Sequence, residues 1–329
     1  MTTMVATERI GRADLVGHMD AFLAALTSRD AGKAALAASV RYTENGQELP
    51  VGEGVWATAD RLGGYRHDFA DRLTGNIATI ATIVEGRRDA ILVARLMVAD
   101  GRITEIETIV ARGDLTGGGV WAEGAQKLNA AGQADAHWSV PIPEGERMSR
   151  DDLRRVANMY FTAIEKNDGK GDYPFADDCI RIENGSRTTG VREAAPGGEA
   201  PRPATPAPGE KRSGDSPYTL NFMAMSAREQ LETGFFAFVD RIRHRRFPII
   251  DEERGVVFAF GFFDHSGTVR AYTLADGRPI PASIDRPFTW EIGEAFKIEK
   301  GLFTRIEAVM SPCPYGMPPN WPLLDGDIL

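Results

Sequence analysis

The sequence predicts an α+β fold built as two similar units, and three observations carry that expectation. A word is repeated: Tyr42-Thr43-Glu44-Asn45-Gly46 returns as Arg181-Ile182-Glu183-Asn184-Gly185. Other echoes keep the same order around it. Phe22-Leu23-Ala24-Ala25-Leu26 faces Tyr160-Phe161-Thr162-Ala163-Ile164, and Ile103-Thr104-Glu105-Ile106-Glu107 faces Phe303-Thr304-Arg305-Ile306-Glu307. Matches in shared order, spaced more widely only by insertions in the second copy, are the mark of an internal duplication. Finally, each half runs from a helical stripe into strand-like segments broken by turn residues, which implies helices covered by a curved, mainly antiparallel sheet.

In the first half, Leu15, Met19, Phe22 and Leu26 are spaced as the buried stripe of a helix. An alanine-rich helical patch is expected next, leading into a strand at Val40–Glu44 that Asn45-Gly46 turns back. Val55 to Leu73 reads as helix or irregular structure. Strands are predicted at Asn76–Val84, Ala90–Ala99 and Arg102–Ala111, the last two joined by the hairpin pair Asp100-Gly101. Gly52-Glu53-Gly54-Val55-Trp56-Ala57 fits the letters of a dinucleotide fingerprint, but Pro50 disfavours the central strand that must precede one. Gly117-Gly118-Gly119 lacks the lysine and hydroxyl of a phosphate loop.

The second half begins at a helix cap, Ser149 with Asp152 three residues on, followed by the stripe Leu153, Val156, Tyr160 and Ile164. A Pro/Gly-rich insertion at 194–217 has the composition of a surface segment, conceivable as a lid. Helix is expected from Ala227 to Arg241. Gly255–His265 alternates with both faces apolar, so it should be a central strand covered on both sides. Strands at Phe288–Ile292 and Leu302–Met310 follow, and the proline-rich tail carrying Tyr315 and Trp321 is expected to dock on a neighbouring surface. The domains are placed at 1–135 and 148–329, with 136–147 as linker.

Composition narrows the function. A chain of 329 residues, 43% hydrophobic, suffices for two cores. A net charge of −9 argues against a nucleic-acid partner, and the single basic run, Arg241 to Arg246, reads best as a salt-bridged segment. Cys179 and Cys313 form no paired motif, which suits a reducing, cytoplasmic setting. No stretch has the length of a membrane span or a signal peptide core, so no membrane partner is expected. Metal-binding and nucleophile-elbow signatures are missing, so neither a metal nor a cofactor is expected.

The helices, the strand ending in Asn-Gly and the hairpins of each half resemble the cone-shaped fold of the nuclear transport factor 2-like, SnoaL-like superfamily. Asp240-Arg241-Ile242-Arg243, Arg245-Arg246-Phe247-Pro248, Phe262-Phe263-Asp264-His265 and Pro314-Tyr315-Gly316-Met317-Pro318 resemble a little-characterised bacterial and fungal branch of it. That finer likeness covers Ser226 to Trp321. The resemblance implies two NTF2-like domains, each a curved mixed, mainly antiparallel sheet over helices with a deep apolar pocket. It also implies cofactor-free isomerases, cyclases, dehydratases or lyases, some acting on lignin-derived aromatics, alongside plain binding proteins.

Carboxylate, histidine and tyrosine chemistry in an apolar cavity is what the residues leave for catalysis. The catalytic candidates are His265, Glu183, Asp264, Arg181 and His244. Asp264 and His265 are adjacent on a strand and cannot share a face. His265 closes an apolar strand, where a lone polar group would meet a pocket. Glu183 and Glu44 precede equivalent turns, which a carboxylate can organise by accepting backbone N–H bonds. Tyr160, Arg243, Trp290, Phe263, Tyr42, Glu44 and His67 are candidate substrate contacts. Glu105 and Glu107 are expected to face solvent. The expected function is a cofactor-independent lyase or isomerase acting on a hydrophobic, oxygenated small molecule, with His265 or Glu183 as base. The rival is a binding or scaffold protein, and the two halves are expected to form an internal pseudo-dimer, further homo-oligomerisation being left open.

Overall fold

The computed structural model describes residues 10–113, 121–191, 222–282, 284–324 and 326–328; the triple-glycine stretch and the insertion at 194–217 lie outside them. The first half contains α1 (Arg12–Ser28), β1 (Leu36–Glu44), β2 (Gln47–Glu48), α2 (Val55–Thr58), β3 (Ala59–Asp71), β4 (Asn76–Glu85), β5 (Arg88–Ala99) and β6 (Arg102–Arg112). After α3 (Gly124–Ala131), the second half contains α4 (Arg150–Glu165), β7 (Phe175–Glu183), β8 (Ser186–Arg187), α5 (Ala227–Glu232), β9 (Arg241–Asp251) and β10 (Val256–His265). A small hairpin, β11 (Ala271–Thr273) with β12 (Pro279–Pro281), precedes β13 (Phe288–Glu299) and β14 (Leu302–Cys313).

Two six-stranded sheets result, in the orders β2-β1-β6-β5-β4-β3 and β8-β7-β14-β13-β10-β9. The two orders match position for position. Each sheet is mixed, with β1/β6 and β7/β14 parallel and the other pairs antiparallel. This is the α+β architecture that the sequence predicts.

The repeated Asn-Gly word acts identically in both halves. Asn45 and Gly46 have φ of 44° and 72°, and Asn184 and Gly185 have 43° and 77°, the left-handed region a tight hairpin needs. Asn45 Oδ1 accepts the Val110 N–H at 2.7 Å, and Asn184 Oδ1 accepts the Met310 N–H at 2.8 Å. The asparagine, rather than the preceding glutamate, therefore pins each turn to the neighbouring parallel strand. The helix stripes also match expectation: Leu15, Met19, Phe22 and Leu26 are buried under the first sheet, and Leu153, Val156, Tyr160 and Ile164 under the second.

The opposite faces of the two sheets pack on each other. Phe69, Ile80 and Val93 of the first meet Ile249, Phe258 and Phe260 of the second in one core. β10 is thus covered on both sides, by helices on one face and by the first sheet on the other. Glu107 and Glu307, expected at the surface or unremarked, lie buried in this seam. Arg246 crosses to Glu107, while Tyr65 and His67 cross the other way to Glu307 at 2.8 and 2.7 Å. Such reciprocal contacts are what a two-fold interface produces.

Three segments differ from the sequence-based reading. Val55 to Leu73 is a single helical turn and then β3, a long strand whose register shifts interrupt simple alternation. The alanine-rich patch is a short 3-10 turn at Ala31–Lys33, and Ala227 to Arg241 divides into α5, a 3-10 turn at Phe235–Phe238 and the start of β9. The basic run belongs to β9, and its charges are paired: Arg245 with Glu165, Arg246 with Glu107, Arg241 and Arg243 with Asp264. Of the tail's two aromatics, Trp321 docks as expected and Tyr315 stays exposed. Trp321 donates to Thr43 Oγ1 at 3.0 Å and lies against the guanidinium groups of Arg41 and Arg95.

Candidate functional site

A cavity of about 640 Å³ occupies the second half, between α4 and the concave faces of β7, β10, β13 and β14. Its walls are aromatic and apolar, including Trp121, Phe236, Phe263, Phe288, Trp290 and Met310. The alternation of β10 places Phe263 and His265 towards the cavity and Phe258 and Phe260 towards the first sheet.

Strand register builds the polar end. Glu183 on β7 pairs with Ala308 on β14, and Ala308 pairs with Glu294 on β13. Three neighbours in one row present the same face, so two carboxyl groups flank a methyl that leaves room between them. All three line the cavity. Arg181, two residues before Glu183, puts Nε 3.4 Å from the Glu183 carboxylate and 3.0 Å from Thr188 Oγ1. Gln230 accepts from Arg181 and donates to the carbonyls of Thr188 and Phe222, anchoring the guanidinium from α5. The Tyr160 hydroxyl from α4 is near enough to Glu294 and Arg181 to be influenced by both. Arg181 Nη1 makes no hydrogen bond of acceptable geometry among the described residues.

Burial sets the Glu294 carboxyl apart. Burial, and then the charge of Glu183, push the Glu294 pKa up to about 8, so Glu294 is mostly protonated at neutral pH. Burial likewise holds the Tyr160 hydroxyl in its neutral, donating form. Glu183 has an arginine beside it. The arrangement therefore offers a proton acceptor and a proton donor across Ala308, with Arg181 and Tyr160 available to an oxygen that gains negative charge.

His265 sits at the other end of the same strands. Its ring is stacked on Phe288 at 4.7 Å and on Phe238 at 5.8 Å, and Nδ1 has no hydrogen-bond partner among the described residues. Burial lowers its pKa to about 4, which makes it a neutral imidazole and a weak base at neutral pH.

Of the candidates named from sequence, Tyr160, Arg181, Glu183, Phe263, His265 and Trp290 line this cavity. Asp264 is fully buried on the opposite face, held by Arg241, Arg243 and Thr289. Arg243 is occupied by Asp264 and the Met317 carbonyl. His244, at a φ of 51°, lies in the irregular part of β9 and does not line the cavity. His67 is engaged by Glu307 in the seam. Asp264, Arg243 and His67 are held by partners on other strands, which sequence neighbours do not reveal, whereas His244 Nδ1 has no hydrogen-bond partner among the described residues.

Tyr42 and Glu44 occupy the positions of Arg181 and Glu183 in the first half, but there the space is filled. Trp56 is buried edge-on against Phe22 and Tyr42, and Glu44 accepts from the Val55 N–H, Tyr42 and Arg112. The row matching Glu183–Ala308–Glu294 is Glu44–Thr108–Ala94, with no second carboxyl.

Glu294 and Gln230 were missed from sequence. The signal for Glu294 was present: Ile292, Glu294, Phe296 and Ile298 alternate on one face, and a carboxyl on an otherwise apolar face is out of place.

Comparison with solved structures finds partial likenesses. AclR of Streptomyces galilaeus, provisionally described as a hydroxylase, is 14% identical over 31% of this chain and 81% of its own, with a TM-score of 0.26. An M. tuberculosis LEH-like epoxide hydrolase is 23% identical over 30% of this chain and 83% of its own, with a TM-score of 0.23. A protein of Kribbella flavida DSM 17836, provisionally described as a ketosteroid isomerase, is 16% identical over 30% and 79%, with a TM-score of 0.25. No curated protein matches the chain. A family model described as "Domain of unknown function (DUF8021)" matches residues 146–310, half of the chain and the half that holds the cavity, and the chain belongs to that family.

Proposed function

We propose that the second half is a lyase or isomerase that moves protons on a hydrophobic, oxygenated small molecule by side-chain acid–base chemistry. Two carboxyl groups in one cavity, of which burial holds Glu294 protonated while Arg181 stands beside Glu183, support this reading, since such pairs divide acid and base roles. Glu183 takes a proton from a hydroxyl or an acidic carbon. Glu294 supplies one to the oxygen or carbon that needs it, and Arg181 with Tyr160 steadies the oxyanion that develops. Oxygenated aromatics, lignin-derived ones among them, fit the aromatic walls. Converging polar groups in an open cavity favour catalysis over the alternative of a binding or scaffold protein.

The first half, residues 1–135, is assigned a supporting role as a duplicated copy, joined through 136–147 to the active unit at 148–329. Its filled interior and its apolar contact with the second sheet favour this division. The test is a turnover and thermal-shift screen against hydroxy-ketones, polyketide-like compounds and aromatic diols. Glu183→Gln and Glu294→Gln should each reduce turnover of a hit by about 10²- to 10⁴-fold while the ligand still binds. Unchanged kinetics in both variants would refute the assignment.

A further inference from the structure

The chain beyond the last strand of each sheet packs on the other half. α3, which follows β6, brings Gly124 against the Asn184 carbonyl and Gly185 in the β7–β8 turn, so closely that a Cβ there would meet backbone. On the same turn, Lys127 Nζ donates to Ser186 Oγ at 3.0 Å. The first sheet holds α3 as well: Asn129 Oδ1 accepts from the Gly64 N–H of β3 at 2.7 Å and from the Thr82 hydroxyl of β4 at 2.5 Å. Ala125 and Leu128 are buried in the core between the sheets. The tail after β14 makes the reciprocal crossing, with Met317 covering Gly46 and the Asn320 amide donating to the Gly46 carbonyl in the β1–β2 turn.

The first of these crossings carries a ring into the cavity. Trp121, just before α3, lines the cavity and packs edge-on against Trp290, with ring centroids 5.6 Å apart and planes at 87°. Both indoles are only partly buried, so the corner they form has ring surface left for a guest. Trp290 shares a face of β13 with Glu294, and Trp121 borders Asn184, the neighbour of Glu183, in a small adjoining cleft. Resting on the reading of this cavity as the substrate site, we propose that an aromatic ring of the substrate seats in the corner between Trp121 and Trp290, and that Trp121 is a specificity-determining residue which the first half contributes to the site of the second. Perpendicular indoles offer a guest ring one face to stack on and one edge to meet, the two geometries that aromatic pairs prefer. A saturated ring gains only burial there. Because α3 is fixed to both sheets, the Trp121 ring is in place before the guest arrives, and little ordering is lost on binding. The exposed Asp285 and Arg286 also line the cavity, so the ring requirement sets no charge on the rest of the substrate. The first half thereby does more than support the fold, since the cavity wall is incomplete without it.

Titration calorimetry on the full chain tests this with 2-naphthol and decahydro-2-naphthol, which share a carbon skeleton and a hydroxyl but differ in aromaticity. The unaltered protein should bind 2-naphthol the more tightly. Trp121→Leu, which keeps an apolar wall, should weaken 2-naphthol by about two- to tenfold, the range of one aromatic pair, and leave decahydro-2-naphthol within about twofold. Trp121→Phe, which keeps a ring, should retain most of the preference. A merely structural role for Trp121 would instead lower the affinity for both compounds together. That outcome, equal affinities in the unaltered protein, or no binding of either compound would overturn the proposal. Binding needs no turnover, so the two readings fail separately. A missing ring preference alongside turnover lost in Glu294→Gln would remove the role of Trp121 and leave the acid–base assignment standing. A ring preference that depends on Trp121, alongside turnover unchanged in Glu183→Gln and Glu294→Gln, would do the reverse.

Discussion

Glu294 and Glu291 sit on opposite faces of β13, and both are buried carboxyls whose pKa is raised to about 8. In the unfolded chain each would titrate near its ordinary value of 4.5. Between about pH 4.5 and 8 the folded state therefore holds protons that the unfolded state has released, so their contribution to stability declines as pH rises through that window. His265 acts in the opposite sense. Its folded pKa of about 4 lies below its ordinary 6.5, so the folded state loses stability as pH falls from about 6.5 to 4. Glu294→Gln should raise Tm relative to the unaltered protein at pH 8 to 9 and flatten the decline between pH 5 and 8. A Tm difference independent of pH would show that Glu294 is ionised in the fold. At this scale the sequence revealed residues that interrupt an apolar pattern, such as His265, and residues marked by the repeat, such as Glu183 and Arg181. It concealed Glu294, because the strand was read as stopping at Ile292. Asp264 and Arg243 were misread because their partners lie on different strands.

The turns and strands show why the repeat was legible and the chemistry less so. Asn45 and Asn184 each combine a positive φ with side-chain bonds to the adjacent parallel strand. Both demands fall on one residue, which accounts for the same word standing at the matching turn of each sheet. Asn184→Ala should cost about 1–3 kcal/mol, the penalty of leaving buried partners on Met310 unmatched. It should also weaken ligand binding through Glu183, whereas Asn45→Ala should lower stability without touching the ligand. Chemical denaturation with a parallel ligand titration reads both. Equal effects on binding would contradict the placing of the site in the second half alone. Strands β3 and β9 were the hardest elements to recognise. Some of their polar residues find partners across the seam, Arg246 in an ion pair with Glu107 and His67 in a hydrogen bond with Glu307, which local alternation cannot express.

The molecule as a whole depends on the seam between its sheets. Glu107 accepts from Arg95 at 2.8 Å and from Arg246; burial opposes its charge, but Arg246 and Arg95 hold its pKa below the usual carboxylate range. Glu107→Gln leaves two buried guanidinium groups undercompensated and should destabilise by about 3–5 kcal/mol, read as a shift in denaturation midpoint. Residues 148–329 produced alone would expose Ile249, Phe258 and Phe260 and should self-associate in sedimentation velocity. A stable monomer would count against the supporting role of the first half. The most direct test of the central claim is a carbon-13 NMR titration of glutamate carboxyls, with Glu294→Gln and Glu291→Gln used for assignment. A carboxyl titrating near pH 8 that vanishes in Glu294→Gln and persists in Glu291→Gln is the predicted result. If the Glu294 resonance instead titrates in the ordinary glutamate range, Glu294 is no proton donor at neutral pH and the acid–base reading fails.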